Sequence, residues 1–407
     1  MPAADLRLDA HHALRVLTTA DGARAEPVTL RAGAWTRSVP GDGAGLALLA
    51  RLARAAHDAE QVDGFRVTSS GEADLDDSSE RSMGVDQTHD SWVVGGRVVV
   101  KWMTEPLIGP HPAPGRLRRL DDAGFEESPA LCGVVEWYDV GTGHWVPLAI
   151  AQSYLPGTED GWTWAVLDAR RTLGLEPGEP TDFAADLGGV VGRMHLALAD
   201  DPPSRLSASG AREQADEALA VLDLTVRLTE QHDPGTHALL ARHRPEIEAV
   251  LGGLADATGT PVLPVHGDLH VGQVLRGPAG YAVVDFDGNP TRPPTLRAAD
   301  APAACDVADM LVSLENVGHV ACHRAGTPET RALERGVHAW TSHAQDRFLS
   351  GYQDALGGRL GLFDSTLVPA YGWEQVCREI VYAVQHDFLE WLCVPAAALR
   401  RRLGSRP

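Results

Sequence analysis

Residues 265–290 have the sequence VHGDLHVGQVLRGPAGYAVVDFDGNP, in which short apolar segments alternate with polar ones. The pattern predicts a strand, a polar loop and two hairpin strands joined by a turn at residues 277–280. Carboxylates placed this close together repel each other unless a cation or a shared proton lies between them. The segment therefore predicts a metal site. Its candidate polar residues are Asp268, His270, Gln273, Asp285 and Asp287.

The composition is that of a soluble globular protein with more than one core. The chain has 407 residues, of which 44% are hydrophobic and 22% are charged, so we expect two or three subdomains. A net charge of -21 argues against a nucleic-acid partner. It is typical of a solvated acidic surface that aids solubility, and a site suited to a cationic substrate is the alternative. The sequence has no run of about 18 apolar residues, so we expect no membrane partner.

The cysteines and the N-terminal residues bear on the compartment. The five cysteines are odd in number and include no CxxC pair, which is typical of a reducing compartment without disulfides. The first residues lack the basic patch and apolar core of a signal peptide. We therefore expect a cytoplasmic protein, as a monomer or a weak homodimer.

Lys101 is the only lysine among the 35 basic Lys and Arg residues. A chain that uses arginine almost everywhere else indicates a special need at this position. An ammonium group on a flexible stem is compact, and the planar guanidinium cannot replace it at every site. Lys101 is therefore a candidate functional residue.

The chain divides into three predicted segments. Residues 1–85 carry short strand patterns and one helical pattern, and we interpret them as a small α+β cap. Residues 86–155 predict a β-rich nucleotide-binding subdomain with a hairpin at 91–102. Residues 156–407 predict a helical lobe. Its predicted helices are 162–173, 183–199, 211–229, 235–253, 304–318, 329–356 and, after a break at Pro369, 373–393.

The polar residues meet the requirements of phosphoryl transfer. This reaction needs a cation over the phosphates, a metal that bridges them, and a carboxylate that orients the attacking hydroxyl. Asp268 would be the base, Gln273 and Asp285 would hold Mg²⁺ through oxygen atoms, and Lys101 would bind phosphate. The loop at residues 84–91 would cover the triphosphate. No Walker-type G-x-x-x-x-G-K-[ST] loop is present.

The spacing of these residues is that of protein kinases: an Asp, an amide five residues later, and a strand-borne Asp about a dozen residues further on. Residues 266–270, HGDLH, with Gln273 and the DFD of 285–287, resemble the aminoglycoside-phosphotransferase-like branch of the kinase fold. The fuller string is most similar to the actinobacterial maltokinases and glucosamine kinases. The resemblance covers most of the chain from about residue 85.

The resemblance implies an α+β, bilobal protein-kinase-like fold with an N-terminal cap subdomain. It also implies ATP and Mg²⁺ as cofactors, an adenine hinge near residues 152–155, and a sugar or amino sugar as the small-molecule partner. The implied nucleotide-binding residues are Lys101, Ser91, Gln152 and Tyr154, and the implied Mg²⁺ ligands are Gln273, Asp285 and Asp287.

Two departures from the family pattern stand out. The helix predicted after Lys101, at residues 115–122, carries basic residues where kinases place the Glu that pairs with this lysine. Asp287 also stands where maltokinases generally carry Glu, a change that alters reach and not charge.

The segment 371–380, YGWEQVCREI, resembles the glucosamine-kinase branch more than the maltokinase branch. Gln375 and Glu379 share one face of the predicted helix, and Glu374 and Arg378 share another. A carboxylate beside a sugar ring can accept hydrogen bonds from hydroxyls or pair with an ammonium group, and such pairing would select an amino sugar. The candidate sugar-site residues are Asp300, Trp373, Glu374, Gln375 and Glu379.

Simpler interpretations of several residues stay open. Trp373 is as typical of core packing as of stacking on a sugar. Glu374 and Arg378 have the spacing of an ordinary surface ion pair. His195 is typical of a buried core histidine, and His270 of a residue that orders the catalytic loop.

The leading hypothesis is an ATP- and Mg²⁺-dependent kinase that phosphorylates glucosamine at O6. A maltokinase that forms maltose 1-phosphate is the alternative within the same class. An aminoglycoside phosphotransferase and a non-catalytic pseudokinase are the further alternatives.

Overall fold

The computed structural model of the protein describes residues 3–19, 22–55, 59–71, 74–84, 90–323 and 330–404. The chain forms two units. The first comprises Met1–Gly157 with Arg292–Ala299, and the second comprises Thr158–Thr291 with Asp300–Pro407. Residues 292–299, which the sequence placed in the helical lobe, therefore belong to the first unit.

The N-terminal sheet is an antiparallel meander in which each strand pairs with the next. Its strands are β1 (Ala3–Arg7), β2 (His12–Thr19), β3 (Gly22–Arg31) and β4 (Ala34–Arg37), and helix α1 (Ala44–Arg54) follows. Leu14 and Val16 on β2 are buried, whereas Arg15 between them pairs with Asp5 on β1. This two-residue alternation is what a sheet with one buried face requires.

The second sheet has seven strands, and every neighbouring pair is antiparallel. The strands are β5 (Glu60–Val62), β6 (Phe65–Ser69), β7 (Glu80–Ser82), β8 (Asp90–Val94), β9 (Val98–Trp102), β10 (Leu131–Asp139) and β11 (His144–Ser153), with helix α2 (Ala113–Asp122) between β9 and β10 in the chain. Their spatial order is β5-β6-β10-β11-β9-β8-β7. The predicted hairpin at 91–102 is the β8–β9 pair.

The sequence division at residue 85 does not separate the two sheets. Strands β5, β6 and β7 precede this residue and yet belong to the seven-stranded sheet. One hydrophobic core contains Leu14 and Leu48 together with Trp92 and Trp102. Because these side chains are removed from water together, residues 1–85 and 86–155 are parts of one packed unit.

The second unit is mainly helical and carries two small two-stranded antiparallel sheets. Strand β12 (Ser204–Arg205) pairs with β13 (Pro261–Val262), and β14 (Val274–Gly277) pairs with β15 (Gly280–Val283). No helix within the described ranges has the length and apolar character needed to cross a membrane. The helices are α3 (Gly161–Thr172), α4 (Phe183–Leu198), α5 (Ala208–His232), α6 (Pro234–Gly252), α7 (Pro294–Ala298, in the first unit), α8 (Ala304–His323), α9 (Arg331–Leu356), α10 (Val368–Gln385) and α11 (Cys393–Gly404).

Glycines allow α4 and α9 to approach closely. A Cβ atom on Gly188 would lie 2.0 Å from the carbonyl oxygen of Phe348, and one on Gly351 would lie 2.0 Å from that of Ala185. No side chain larger than hydrogen fits at either position. The contact places His195 of α4 beside Tyr352 of α9.

The C-terminal helices differ from the sequence prediction of one helix at 373–393 after a break at Pro369. Pro369 instead lies in the first turn of α10, where its missing N–H has no helical partner to lose. Helix α10 ends at Gln385, and Asp387 has the left-handed φ of 56°. The chain then starts a separate helix, α11, at Cys393.

We expect Gly161→Ala to lower the free energy of unfolding by about 2–3 kcal/mol, as overpacking does. Gly161 begins α3, and a Cβ atom there would lie 1.7 Å from the carbonyl oxygen of Val271. The control is Gly252→Ala in α6, where a Cβ atom would meet nothing within 4 Å. This control should be neutral or up to about 1 kcal/mol more stable. Urea unfolding of both variants measures the difference, and equal midpoints would contradict it.

Candidate active site

A buried carboxylate, Asp306 near the start of α8, holds the first residues of the predicted catalytic loop. Its Oδ2 accepts from the backbone N–H of His266 (2.6 Å), and its Oδ1 accepts from that of Gly267 (2.7 Å). Nε2 of His195 lies 3.0 Å from Oδ2 and donates to it. Asp306 and His195 are both fully buried. The catalytic loop, defined here as residues 265–273, is therefore anchored from within the helical core.

The ionisation states in this cluster follow from its contacts. Burial alone would raise the pKa of Asp306, but the hydrogen bond from His195, with the further bonds from the loop, lowers that pKa below its usual range. Burial and the Asp306 charge raise the pKa of Tyr352, so its hydroxyl stays protonated and donates to Nδ1 of His195 at 2.8 Å. His195 is thus the bonded core histidine that was predicted. Asp306 was missed, because its sequence signal is weak: α8 carries two further carboxylates, Asp309 and Glu315, among its apolar residues.

Backbone hydrogen bonds tie the catalytic loop to the segment that carries Asp285. Nε2 of His266 donates to the carbonyl of Val284 (2.9 Å), and the N–H of Val284 donates to the carbonyl of Gln273 (2.9 Å). The N–H of Asn289 donates to the carbonyl of Gly267 (3.0 Å). These bonds set Gln273 beside the end of the strand that leads into Asp285.

Asp268 lies half-buried in the catalytic loop, and a neighbour fixes its side chain. Nδ2 of Asn289 donates to Oδ1 of Asp268 at 3.0 Å. Oδ1 of Asn289 in turn accepts from the N–H (3.0 Å) and the hydroxyl (2.6 Å) of Thr291. Sequence analysis did not single out Asn289, although it lies only two residues beyond the DFD motif.

The donor set fits Mg²⁺, which prefers hard oxygen ligands and takes few of them from protein. Gln273 is partly buried, Asp287 is partly exposed, and Asp285 is exposed. Asp285 also has a φ of 63°, a conformation that is uncommon for residues other than glycine and that concentrates at functional sites. A carboxylate held in this way at a strand end is suited to meet a cation.

His270 orders the loop rather than offering itself as a ligand. Its Nδ1 accepts from the N–H of Gly272 at 3.1 Å and so caps the short 3-10 turn Val271–Gln273. Burial, with the charge of His266, lowers the pKa of His270 to about 4. The imidazole is therefore neutral at physiological pH.

The candidate nucleotide residues lie on the seven-stranded sheet of the first unit. Lys101 on β9 pairs with Ser91 on β8 and with Ile150 on β11. Directly paired residues point to the same face, and so does Gln152, two residues beyond Ile150. The sheet thus brings Lys101, Ser91 and Gln152 to one face.

Hydrogen bonds within the protein already occupy donors of the predicted hinge residues. Nε2 of Gln152 donates to the carbonyl of Pro129 (3.2 Å), and the N–H of Tyr154 donates to the carbonyl of Arg97 (2.6 Å). The guanidinium of Arg81 lies 5.3 Å from the Tyr154 ring centroid. Most of the predicted phosphate-covering loop, residues 85–89, lies outside the described residues.

Three of the candidate sugar-site residues on α10 are buried, namely Trp373, Glu374 and Gln375. Trp373 is 5% exposed within the helical core, so core packing describes it and stacking on a sugar does not. Glu374 and Arg378 are 2% and 1% exposed, so the interpretation as a surface ion pair is wrong. The i,i+4 spacing was correct, but the helices packed around α10 remove both groups from solvent.

Glu379 is the α10 residue with the clearest link to Asp268. Nδ2 of Asn316 donates to both of its carboxylate oxygens, at 3.0 and 2.8 Å. Burial and the charges of Glu315 and Asp268 together raise the pKa of Glu379 to about 7, although the Asn316 bond lowers it. Gln375 is buried on the same helix, and Asp300 is exposed in the turn before α8.

Comparison with known proteins places this geometry in a family. Residues 115–349 match the phosphotransferase enzyme family. The chain belongs to this family. The predicted resemblance to the aminoglycoside-phosphotransferase-like kinases is confirmed, and so is the α+β kinase-like fold.

Two curated relatives match nearly end to end. The glucosamine kinase of Mycolicibacterium smegmatis is 37% identical over 97% of this chain and 96% of its own length. The glucosamine kinase of Streptacidiphilus jiangxiensis is 39% identical over 98% of this chain and 92% of its own. A solved glucosamine kinase in complex with glucosamine, ADP and inorganic phosphate is 36% identical, covers 98% of this chain and 93% of that one, and has a TM-score of 0.81.

We expect Asp306→Asn to lower the free energy of unfolding at pH 7 by about 3 kcal/mol or more, since it breaks a buried charged network. A carboxyl whose pKa is depressed in the native state stabilises the fold at pH values above its pKa in the unfolded state. This stabilisation is lost as the pH falls through the pKa of the native state. The difference in the free energy of unfolding between variant and wild type should therefore become smaller below about pH 4.

The control is Asp216→Asn, at an exposed position on α5. It should change stability by less than about 0.5 kcal/mol at every pH. Urea titrations at a series of pH values measure both variants. If Asp306→Asn lowered the free energy of unfolding by the same amount at every pH down to acid pH, the charge of Asp306 would not be the source of the stability.

Proposed function

We propose that this protein is an ATP- and Mg²⁺-dependent glucosamine kinase that forms glucosamine 6-phosphate and ADP. The near full-length similarity to glucosamine kinases, at 37% and 39% identity, carries the proposal. The site supports it, because a base candidate, an amide and strand-end carboxylates lie on two hydrogen-bonded segments. We place the reaction in the reducing cytoplasm, in keeping with five free thiols.

In the proposed reaction, Asp268 accepts the proton of the sugar hydroxyl as its oxygen attacks the γ-phosphorus of ATP. The new O–P bond forms while the bond between the γ-phosphorus and the β,γ-bridging oxygen breaks, and ADP leaves with the electron pair. Asn289 holds the Asp268 carboxylate through Oδ1. This hydrogen bond limits the rotation of the carboxylate before the substrate arrives.

The cations in the proposed site come from the protein and from solution. Gln273 and Asp285 would hold Mg²⁺, and Asp287 offers one further carboxylate. When bound, the metal supplies positive charge to the phosphate oxygens. Lys101 would bind phosphate with Ser91 beside it, and the hinge at residues 152–155 would lie near the adenine. His270 is neutral, so it would add no charge to the site.

A coupled assay of ADP release tests the function with a panel of acceptors. Glucosamine should support turnover, and maltose and an aminoglycoside should support little. Rapid turnover of maltose without glucosamine would overturn the proposed substrate. ATP binding without turnover of any acceptor would favour a pseudokinase.

Asp268→Asn should lower kcat by about 10²- to 10⁴-fold, because the proton acceptor is lost. ADP affinity, measured by calorimetry, should change little, since this residue acts on the acceptor. Asp216→Asn, an exposed change of the same kind, should leave kcat unchanged. Undiminished turnover by Asp268→Asn would refute the assigned base.

Glu379 is proposed to pair with the ammonium group of glucosamine. With a raised pKa of about 7, this carboxyl is neutral below that pH and ionised above it. KM for glucosamine should therefore fall several-fold between about pH 6 and about pH 7.5 as the charged form appears. Glu379→Gln should raise KM at pH 7.5 and flatten this dependence, while KM for ATP stays constant. A steep pH dependence that survives in the variant would assign it to another group.

A further inference from the structure

A chain of hydrogen bonds runs from Arg378 on α10 to the Asp268 carboxylate. Nη1 of Arg378 donates to the hydroxyl oxygen of Thr291 (3.2 Å) and to its carbonyl (3.3 Å). The Thr291 hydroxyl donates to Oδ1 of Asn289 (2.6 Å), and Nδ2 of Asn289 donates to Oδ1 of Asp268 (3.0 Å). Each donor in this chain points towards Asp268, and hydrogen bonds aligned in this way polarise and strengthen one another.

The far end of the chain is rigid. Arg378 is 1% exposed, and its Nε and Nη2 donate to Oε1 of Glu374 at 2.9 and 2.7 Å. Nη2 also donates to Oε1 of Glu217 on α5 at 3.2 Å. The planar guanidinium can meet all three neighbours at once, which an ammonium group cannot do in the same geometry. The buried Glu374 and the partly exposed Glu217 thus fix the group that holds Thr291.

Helix α10 also carries Glu379, the residue next to Arg378. Glu379 is held by Asn316 and interacts electrostatically with Asp268. One helix therefore presents a candidate acceptor-binding carboxylate and, through Thr291 and Asn289, positions the candidate base. A shift of α10 would alter both groups together.

We propose that Arg378, Thr291 and Asn289 form a positioning relay that fixes the orientation of the Asp268 carboxylate relative to the acceptor-binding helix. The proposal rests on the proposed function. None of the three residues takes a proton or contacts a phosphate in the reaction. The relay lowers the barrier by holding the base in its productive rotamer, so its loss reduces kcat and leaves the affinities for ATP and acceptor unchanged.

Thr291→Val tests the relay with little risk to folding, since the side chains have similar shapes and the backbone bond to Asn289 remains. It should lower kcat by about 3- to 10-fold, the effect of one lost hydrogen bond, with both KM values within about twofold. Thr291→Ser keeps the hydroxyl and should retain wild-type kcat. Equal turnover by the Val and Ser variants would overturn the relay.

A double-mutant cycle tests whether the residues act as a unit. Asn289→Ala should lower kcat by about 10- to 100-fold because the carboxylate loses its donor. Adding Thr291→Val to Asn289→Ala should then cost nothing further, because the path to Asp268 is already broken. Multiplied effects in the double variant would show that Thr291 acts independently and would refute the proposal.

Different experimental outcomes would contradict the relay and the proposed function. Wild-type protein that releases no ADP with glucosamine but does so with another acceptor overturns the substrate, and the kcat ratios with that acceptor still decide the relay. Wild-type glucosamine turnover with equal Val and Ser variants overturns the relay alone. A wild type that consumes no ATP with any acceptor overturns both.

Discussion

The hydrogen bonds to the buried carboxylate of Asp306 are the interaction on which the second unit depends. An unpaired carboxylate in a protein interior costs several kcal/mol, so it persists only where donors surround it. Here the donors are His195 on one helix and two successive backbone N–H groups of the catalytic loop. The carboxylate of Asp306 thus joins the helical core to the start of the loop. His266 extends this network, since its ring donates a hydrogen bond to the carbonyl of the residue just before Asp285.

The same principle operates at α10, where charged groups are placed inside the protein and not on its surface. Glu374 and Glu217 surround the Arg378 guanidinium, and Asn316 satisfies Glu379. Groups held in this way pay little conformational entropy when a substrate binds, because their rotamers are already set. The acceptor site proposed at these residues would therefore be rigid, and it would select by charge as well as by shape.

Much of the fold and part of the site could be predicted because the signals are local. Hydrophobic periods of 2.0 and 3.6 located the β8–β9 hairpin and the helices α3 to α6. The positions of Gln273 just before β14 and of Asp285 just after β15 followed from short-range pattern, whereas Asp268 lies in the loop after β13 and not at the end of a predicted strand. The resemblance to a kinase family followed from the same few residues. One of the errors was local too. Pro369 begins a helix that it was expected to precede, because proline is compatible with a first helical turn.

The chain's own pattern was thus enough to identify the family and to predict the catalytic segment. Packing settled which polar residues support that segment. Asp306 and His195 are 111 positions apart, and Arg378 and Thr291 are 87 apart. Spacing along one helix does not reveal whether a face is exposed, as Glu374 and Arg378 demonstrate, because exposure depends on which other helices cover that face. Only contacts between distant segments, brought together by burial of the core, determine these partners.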